Sequence, residues 1–546
     1  PKPTADVSRY TREYVIDLDR FSISNQGTNA SKTSKGLNAA LQHAKTLDAN
    51  RIIFPKGVYL ISATDPIVID LQDMVIDLNG AILQIEVNSE PRYSIVEIVD
   101  GAENIRLTNG TLRGDKDEHD YSPNNGSHEW GHGLVFHGGR NIEADHLTIT
   151  NMTGDGANTR FTGARTRPEL LAKIMHSIYK KHLEQGAFST DGRKIDSREK
   201  TRSIEPFDLS QCNGEFEFGY SAGYLGYPFI CGRVYQAYFY DAQMSFLEMK
   251  KCLQFRKTKI PEDAKYVHLE FNQSDVPDEP FHSGAGRGSF VGRISNFKGP
   301  VDVHFHHNEL AGNRRLGLGF CGGRRWLIED NLFADNGGTA PGYGIDLEDG
   351  WEFMQDVVIR HNLFRNNFQG DLVICAGSEL LIDGNTFASN VAVHARPHNY
   401  TFQNNKFQGG YVGYKTRTGV ASIHNNLYEN CTLSITFDSQ GVADGINRME
   451  GQAIATPPIR LVDETLVNVD HITGTYFDFF GTTLKNSHFV AGEDTRLVEF
   501  EDCDFRDCSI HYEAEGPPVT VRLPGNTGSL EQVGPGLSRR RVSQRE

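Results

Sequence analysis

No stretch of the chain approaches the roughly 18 consecutive apolar residues of a membrane span, and no CxxC pair occurs. Bilayer insertion and a cysteine-based zinc site are therefore not expected. Positive charge is also in short supply. Lysine and arginine total 55 against 71 Asp and Glu, giving a formal net charge of −16. Nucleic acid binding needs a basic field, so nucleic acid is excluded as a general partner. An anionic glycan read by a local cluster of Arg and Lys is not. The opening PKPTADVSRY has no basic segment followed by an apolar one, so no signal peptide is read there. The cysteines, Cys212, Cys231, Cys252, Cys321, Cys375, Cys431, Cys503 and Cys508, are scattered and read as buried thiols. Cys503 and Cys508 form the one close pair and leave a disulfide open.

What is present points to short strands in a repeat. With 546 residues, 38% of them hydrophobic, and a mean hydropathy of −0.46, the chain can bury a large core without disulfides. Thr33 to Asn50 shows helical spacing at Leu37, Ala40, Leu41, Ala44 and Leu47. Arg51 to Ser62 reads as strand, Pro/Gly turn and strand. After residue 300, Asn recurs with a bulky apolar residue two positions later: Asn308/Leu310, Asn331/Phe333, Asn362/Phe364, Asn385/Phe387, Asn405/Phe407 and Asn426/Tyr428, at intervals of 20 to 31 residues. That interval suits one solenoid coil. The spacing predicts an Asn at each tight bend, in the left-handed region and bonded along a ladder, with the following apolar residue inside. Alternating runs such as Val357–Val358–Ile359 and Leu380–Leu381–Ile382 precede the bends.

The expected fold is therefore all-β, a right-handed parallel β-helix with an N-terminal capping helix and an inserted small antiparallel, jelly-roll-like β domain. Residues 1–62 form the cap, 63–163 the first coils, 164–290 the insertion, 291–516 the main coils and 517–546 a C-terminal cap and tail. Within the insertion, Arg167 to Gln185 reads as a basic amphipathic helix, followed by an aromatic-rich strand series. Tyr220, Tyr224, Tyr227, Tyr235, Tyr238 and Tyr240 either stack on sugars or fill a small sandwich core.

The N-terminal VIDLDRFSISNQGTNAS, GLNAALQHAK and IIFPKGVYLI resemble the entry module of pectate-lyase-like β-helix proteins. HEWGHGLVF (128–136), GDG (154–156) and GIDLEDGWEF (344–353) resemble elements of phage tail-appendage β-helices of Gram-positive hosts, and VYQAYFYDAQMSFLEM with IPEDAKYVHLEF resembles small jelly-roll carbohydrate-binding modules. The resemblance implies recognition, and commonly depolymerisation, of a host surface polysaccharide by a homotrimer in a virion tail or outside the cell, with other tail components as partners. GHG also occurs in polygalacturonase-like glycosidases, but their N-T-D and R-I-K triplets are missing here, so that chemistry is not carried over.

In Gly344-Ile345-Asp346-Leu347-Glu348, alternation puts Ile345 and Leu347 inside and the two acids outside, about 6.6–7 Å apart at Cα. That suits the roughly 6.5–9.5 Å between the carboxyl groups of inverting glycosidases, and two unpaired acids so close would divide into one protonated and one ionised group. Leu316, Leu318 and Phe320 point in, which leaves Gly317 and Gly319 as a cleared floor. Alternation about Leu372 turns Asp371 outward near Asp346, and that about Val393 turns His394 and Arg396 outward. An outward acid on a solenoid is ordinarily just solvated. The glycine floor, the longer preceding loop GGTAPGYG and the resemblance single this pair out.

Asp346, Glu348 and Asp371 are the candidate catalytic residues, with Trp130, His132, Asp155, Arg315, His394 and Arg396 as substrate-binding candidates. His132 would alternatively be a turn histidine, and Asp155 a turn residue capping amides. The main expectation is glycoside hydrolysis with no cofactor or metal. The alternatives are a lyase, in which Asp346, Glu348 and Asp371 hold Ca²⁺ and Arg396 or His394 is the base, a non-catalytic adhesin, and a wall teichoic acid phosphodiesterase.

Overall fold

The computed structural model of the chain describes residues 11–123, 127–159, 173–212, 214–219, 234–254, 256–274, 292–296, 300–348, 354–394, 397–416, 420–437, 448–449, 452–453, 459–495, 497–513, 520–534 and 540–542. Arg396, Tyr220, Tyr224, Tyr227 and Cys231 lie outside them.

Strands stack in parallel along three faces. One face runs through Ile67–Ile69, Arg92–Ile98, Trp130–Phe136, Ala157–Thr159, Leu318–Phe320, Tyr343–Leu347, Gly370–Ile374, Val391–Val393 and Tyr411–Thr416, each paired with the next. A second passes through Gln72–Asp77, the first halves of Glu103–Arg113 and Arg140–Thr150, then Val301–His306, Gly323–Glu329 and Met354–Arg360. A third takes the second half of Arg140–Thr150 into Glu309–Ala311, Leu332–Ala334, Leu363–Arg365 and Thr386–Phe387. The helix Ala30–Ala44 buries Leu37, Ala40, Leu41 and Ala44 in the same continuous core. Leu47 falls beyond the helix and is exposed.

The asparagine repeat forms the predicted ladder. The backbone and side-chain N–H groups of Asn331 both donate to Asn362 Oδ1 at 3.0 Å, and those of Asn362 to Asn385 Oδ1 at 3.0 Å. The left-handed residue is not the ladder Asn but the one before it: Asp330 (φ 54°), His361 (φ 54°), Asn404 (φ 56°) and Asn425 (φ 57°). The bend then turns the following amide inward, toward acceptors on the next coil. Behind the ladder, Phe333, Phe364, Phe387, Phe407 and Tyr428 stack with ring centroids 4.9–5.3 Å apart, close to the strand spacing. A second, shorter ladder runs Asn313, Asn336, Asn367. Cys503 and Cys508 are free thiols. Their Sγ–H groups donate to Phe479 O at 3.6 Å and Leu484 O at 3.4 Å, filling positions along these corners as the asparagines do.

The first ladder ends at Glu464, whose oxygens accept from Asn426 N at 3.1 Å and Nδ2 at 3.3 Å. Burial raises its pKa from 4.5 to about 8. A raised carboxyl pKa means that the folded state holds a proton which the unfolded state releases. Stability is therefore lost as pH rises from about 4.5 to about 8, by roughly 3–5 kcal/mol from this group. Glu464→Gln keeps the shape and removes the proton. Urea midpoints at pH 5 and pH 8 are expected to converge between variant and wild type at the acid end and to favour the variant at the alkaline end.

Between Ala157–Thr159 and Val301–His306 the chain leaves the coils. Its described strands form antiparallel sheets, the two larger ones ordered Lys173–Ile178, Gly292–Asn296, Glu215–Gly219, Lys257–Lys259 and Leu183–Gln185, Thr201–Ser203, Tyr266–Phe271, Val234–Tyr240, Phe246–Leu253. The helix expected over Arg167 to Gln185 is not formed where the chain is described. Lys173–Ile178 is instead a strand paired with Gly292–Asn296, because a distant partner strand overrides local helical spacing. Tyr235, Tyr238 and Tyr240 are buried, among Phe218 and Phe271 or against Phe188, so these three fill the core rather than offer a sugar platform.

Candidate active site

On the first face, Leu134, Ala157, Leu318, Ile345 and Leu372 lie in register and are all buried in the core. The next row, turned the other way, is Val135, Asn158, Gly319, Asp346, Val373, Ala392 and Gly413. Gly319 is the pivot of this row. A Cβ there would lie 2.5 Å from Asp155 Oδ2 and 2.6 Å from Asn158 Nδ2. Only a residue without a side chain lets Asp155 reach over from one side while Asp346 stands on the adjoining coil, about 4.8 Å along the stack. Gly317, expected in the same floor, has another role: a Cβ there would meet Gly344 O at 2.6 Å and Phe333 Cδ1 at 2.7 Å, so its bareness serves coil packing.

Asp155 is fully buried, and the flanking Gly154 leaves room for the coil before it, where a Cβ would come 2.3 Å from Glu129 O. Asn158 Nδ2 donates to Asp155 Oδ2 at 2.7 Å, and Arg315 Nη1 donates to both oxygens at 3.1 Å. The other arm of Arg315 donates to Glu348 at 3.3 and 3.4 Å. One guanidinium thus joins two carboxylates from different coils, with Asp346 inside the same field. Burial works against the charge on Arg315, but the carboxylates of Asp155, Glu348 and Asp346 outweigh it and hold the pKa above the ordinary value. His132 is buried. Its Nδ1 accepts the backbone N–H of Asp155 at 3.0 Å and lies 3.7 Å from Asp155 Oδ2, so the imidazole shares the site with the acid.

Asp346 is 3% exposed, whereas the Glu348 side chain is 27% exposed. The two acids flank Arg315 at different depths, Glu348 nearer the solvent. Cys321 Sγ approaches Glu348 Oε2 at 3.7 Å. Burial and the nearby Glu348 push its pKa well up, so the group is a thiol rather than a nucleophile.

Asp371 is not part of this cluster. It lies in the row of Gly344, while Val373 is the residue beside Asp346. It is fully buried, accepting from Ala388 N at 2.6 Å, Ser389 N at 2.7 Å and Asn367 Nδ2 at 3.0 Å. It terminates the second asparagine ladder, and its burial raises its pKa against those donors. The Ca²⁺ set of Asp346, Glu348 and Asp371 is therefore not assembled. Among the described residues, the groupings able to share an ion are Glu143/His304/His306 and Glu329/Asp330/His361, both centred on the second face.

Trp130 opens the strand before His132 and is 38% exposed, with the Arg92 guanidinium 4.7 Å from its ring. Its loop is anchored by a buried relay in which His119 bonds Asp115 at 2.9 Å and His128 at 2.8 Å. His394 is exposed and continues the row of Glu348 and Cys375, roughly 10 Å from Glu348 at two coil spacings.

Three further residues of this face and its turns were not singled out by the sequence. Asn158 was open to alternation counted from Ala157. Tyr411 is exposed, with its ring beside Gly413, at the far end of the Asp346 row. Phe368, 74% exposed on the turn against Gly337 and Gly342, had no sequence signal that set it apart from core phenylalanines.

The sequence profile described as "Right handed beta helix region" matches residues 296–387, and the chain folds as a right-handed parallel β-helix with an antiparallel insertion. The "SPbeta prophage-derived uncharacterized protein YorA" of Bacillus subtilis (strain 168) is 28% identical over 157 residues, which are 26% of this chain and 26% of that protein. "Uncharacterized protein YclG" of the same organism is 29% identical over 171 residues, 29% of each chain. The match thus spans little more than a quarter of either relative. Among solved structures, the mannuronan C-5 epimerase AlgE6 A-module of Azotobacter vinelandii has 11% identity and a TM-score of 0.45, covering 96% of this chain and 100% of that one. Among the described residues, no helix is long and apolar enough to cross a membrane.

Proposed function

We propose that this chain is a tail-appendage depolymerase that cleaves a bacterial surface polysaccharide by glycoside hydrolysis, outside the cell and as a homotrimer. The observation that carries the reading is the clamp of Arg315 between Asp155 and Glu348, beside Asp346, with Asp155 lying over Gly319. Hydrolysis of a glycosidic bond needs a proton donor for the leaving oxygen and a base for water. Glu348, solvent-reachable and against a guanidinium, takes the proton from water. Asp346, in the covered position, delivers one to the leaving oxygen. Asp155, His132 and Asn158 hold Arg315 and the floor in place. An extended glycan passes along this face between Trp130 and Tyr411, which stack on it, while Gly319 makes room for Asp155 with Asn158 and Gly413 for the Tyr411 ring. The prophage derivation in the name of YorA supports a phage setting.

Lyase chemistry is less well served, since it needs a cation to neutralise a uronate carboxylate and Arg315 already faces two protein carboxylates. The test is digestion of purified surface polysaccharides, followed by chain length, reducing ends and near-ultraviolet absorbance. New reducing ends without absorbance are the expected result. Absorbance from a new double bond would establish β-elimination instead, and saturable binding without shortening would establish an adhesin.

A further inference from the structure

The second face carries a separate cluster that the proposed cleavage does not use. His304 and His306 occupy alternate positions of one strand, so both imidazoles rise from the same side. Glu143 stands beside His304 on the preceding coil and Glu329 beside His306 on the following one. The contacts run diagonally: His306 Nε2 lies 3.1 Å from Glu143 Oε1, and His304 Nε2 lies 2.6 Å from Glu329 Oε1. The two rings stack with centroids 3.9 Å apart. One ligand atom each from Glu143, His304 and His306 lies within 4.8 Å of the other two. Glu143 and His306 are buried and His304 is half-buried.

We propose that Glu143, His304 and His306 form a site for one divalent transition cation of the Zn²⁺ class. Two imidazoles and one carboxylate are a donor set that such ions favour, with the remaining position left open. At metal–ligand distances of about 2.0–2.1 Å, tetrahedral ligand atoms sit roughly 3.3 Å apart, so the 3.1 Å between Glu143 and His306 already has the required span. The outer contacts are in place as well. His306 Nδ1 meets His307 Nδ1 at 2.8 Å, Arg106 Nε lies 3.4 Å from Glu143, and Arg360 Nε is 2.5 Å from Glu329; such partners orient ligands. When the ion binds, the imidazole protons now shared with Glu143 and Glu329 are released from the nitrogens that ligate, and Glu329 becomes a neighbouring acceptor or a fourth ligand. Glu143 precedes the insertion and His304 follows it, so the ion would staple the coil that the chain leaves to the coil it rejoins.

The test is titration of the chelator-treated 546-residue chain with Co²⁺, followed by visible absorption, and with Zn²⁺, followed by calorimetry and thermal unfolding. The expected result is one saturating equivalent per chain, tetrahedral-type Co²⁺ bands displaced by Zn²⁺, and a melting temperature raised by a few degrees in excess metal. Glu143→Gln, which keeps the hydrogen bond to His306, and His306→Ala are each expected to weaken binding at least tenfold. His361→Ala, which alters the neighbouring Glu329/Asp330/His361 grouping, is expected to leave it intact. Absence of saturable binding by the wild type, or binding lost in His361→Ala and kept in Glu143→Gln, would overturn the proposal. Polysaccharide cleavage is not a readout here, so the outcome is independent of the proposed hydrolysis.

Discussion

Glu348→Gln and Asp346→Asn are each expected to lower the rate of polysaccharide cleavage by about 10²–10⁴-fold, the range for loss of a positioned acid or base. Both substitutions keep shape and remove the ability to exchange a proton at the reacting oxygen. The Glu348 side chain is 27% exposed and its contacts with Arg315 are 3.3 and 3.4 Å long, so its change is expected to cost no more than about 1 kcal/mol of stability. Asp371→Ala supplies the contrast. Asp371 touches no solvent and takes three hydrogen bonds, two of them from backbone amides that the change would leave with no acceptor in the protein. That variant is expected to lose roughly 2–4 kcal/mol of stability and to keep the turnover of its folded fraction. Initial rates normalised to folded protein, with urea unfolding of each variant, separate the two behaviours. Full activity in Glu348→Gln would remove Glu348 from the chemistry.

The contrast between Asp346 and Asp371 also shows how far a sequence can be read. Alternation correctly turned Ile345 and Leu347 inward and Asp346 away from them, because side-chain period is a property of a single strand. It failed at Asp371, which lies fully buried against Asn367 of the inner ladder instead of facing out, and it cannot say which residue of the next coil lies alongside Asp346. Register does so, and it brings Val373 beside Asp346 and Asp371 beside Gly344. The Asp155–Arg315 contact was out of reach for a related reason. It spans 160 residues, most of them in the insertion, and no local pattern announces that the coils on either side stack directly. The asparagine and aromatic repeat was legible because each coil repeats it, so a spacing along the chain becomes a ladder in space. From Lys173 to Gln185 the expected helix gives way where local spacing competes with a partner strand far along the chain.

Asn362 offers the sharpest test of that ladder. It is 1% exposed, and its side chain takes part in five hydrogen bonds: Oδ1 accepts from Asn331 N and Nδ2, and Nδ2 donates to Ile328 O, Arg360 O and Asn385 Oδ1, all at 2.9–3.0 Å. Asn362→Ala takes the shared acceptor away from the buried backbone and side-chain N–H groups of Asn331. At about 1–3 kcal/mol for each buried group left unmade, with some relaxation, roughly 3–5 kcal/mol should be lost, independent of pH. Asn362→Asp keeps the acceptor for Asn331 but puts an oxygen where Nδ2 faces three others. Ionised, that oxygen is repelled on every side; protonated, it still donates one bond. Its folded pKa must then lie above the unfolded value of about 3.9, so stability is lost as pH rises past that point. The ladder already shows this preference at its own end, where Glu464 keeps its proton up to about pH 8. Urea midpoints at pH 4.5 and 7.5 are therefore expected to move apart for Asn362→Asp relative to Asn362→Ala, with the Asp variant the less stable at 7.5. Equal offsets at both pH values would mean that the ladder tolerates a carboxylate. The asparagines would then be kept for shape rather than for their paired donor and acceptor.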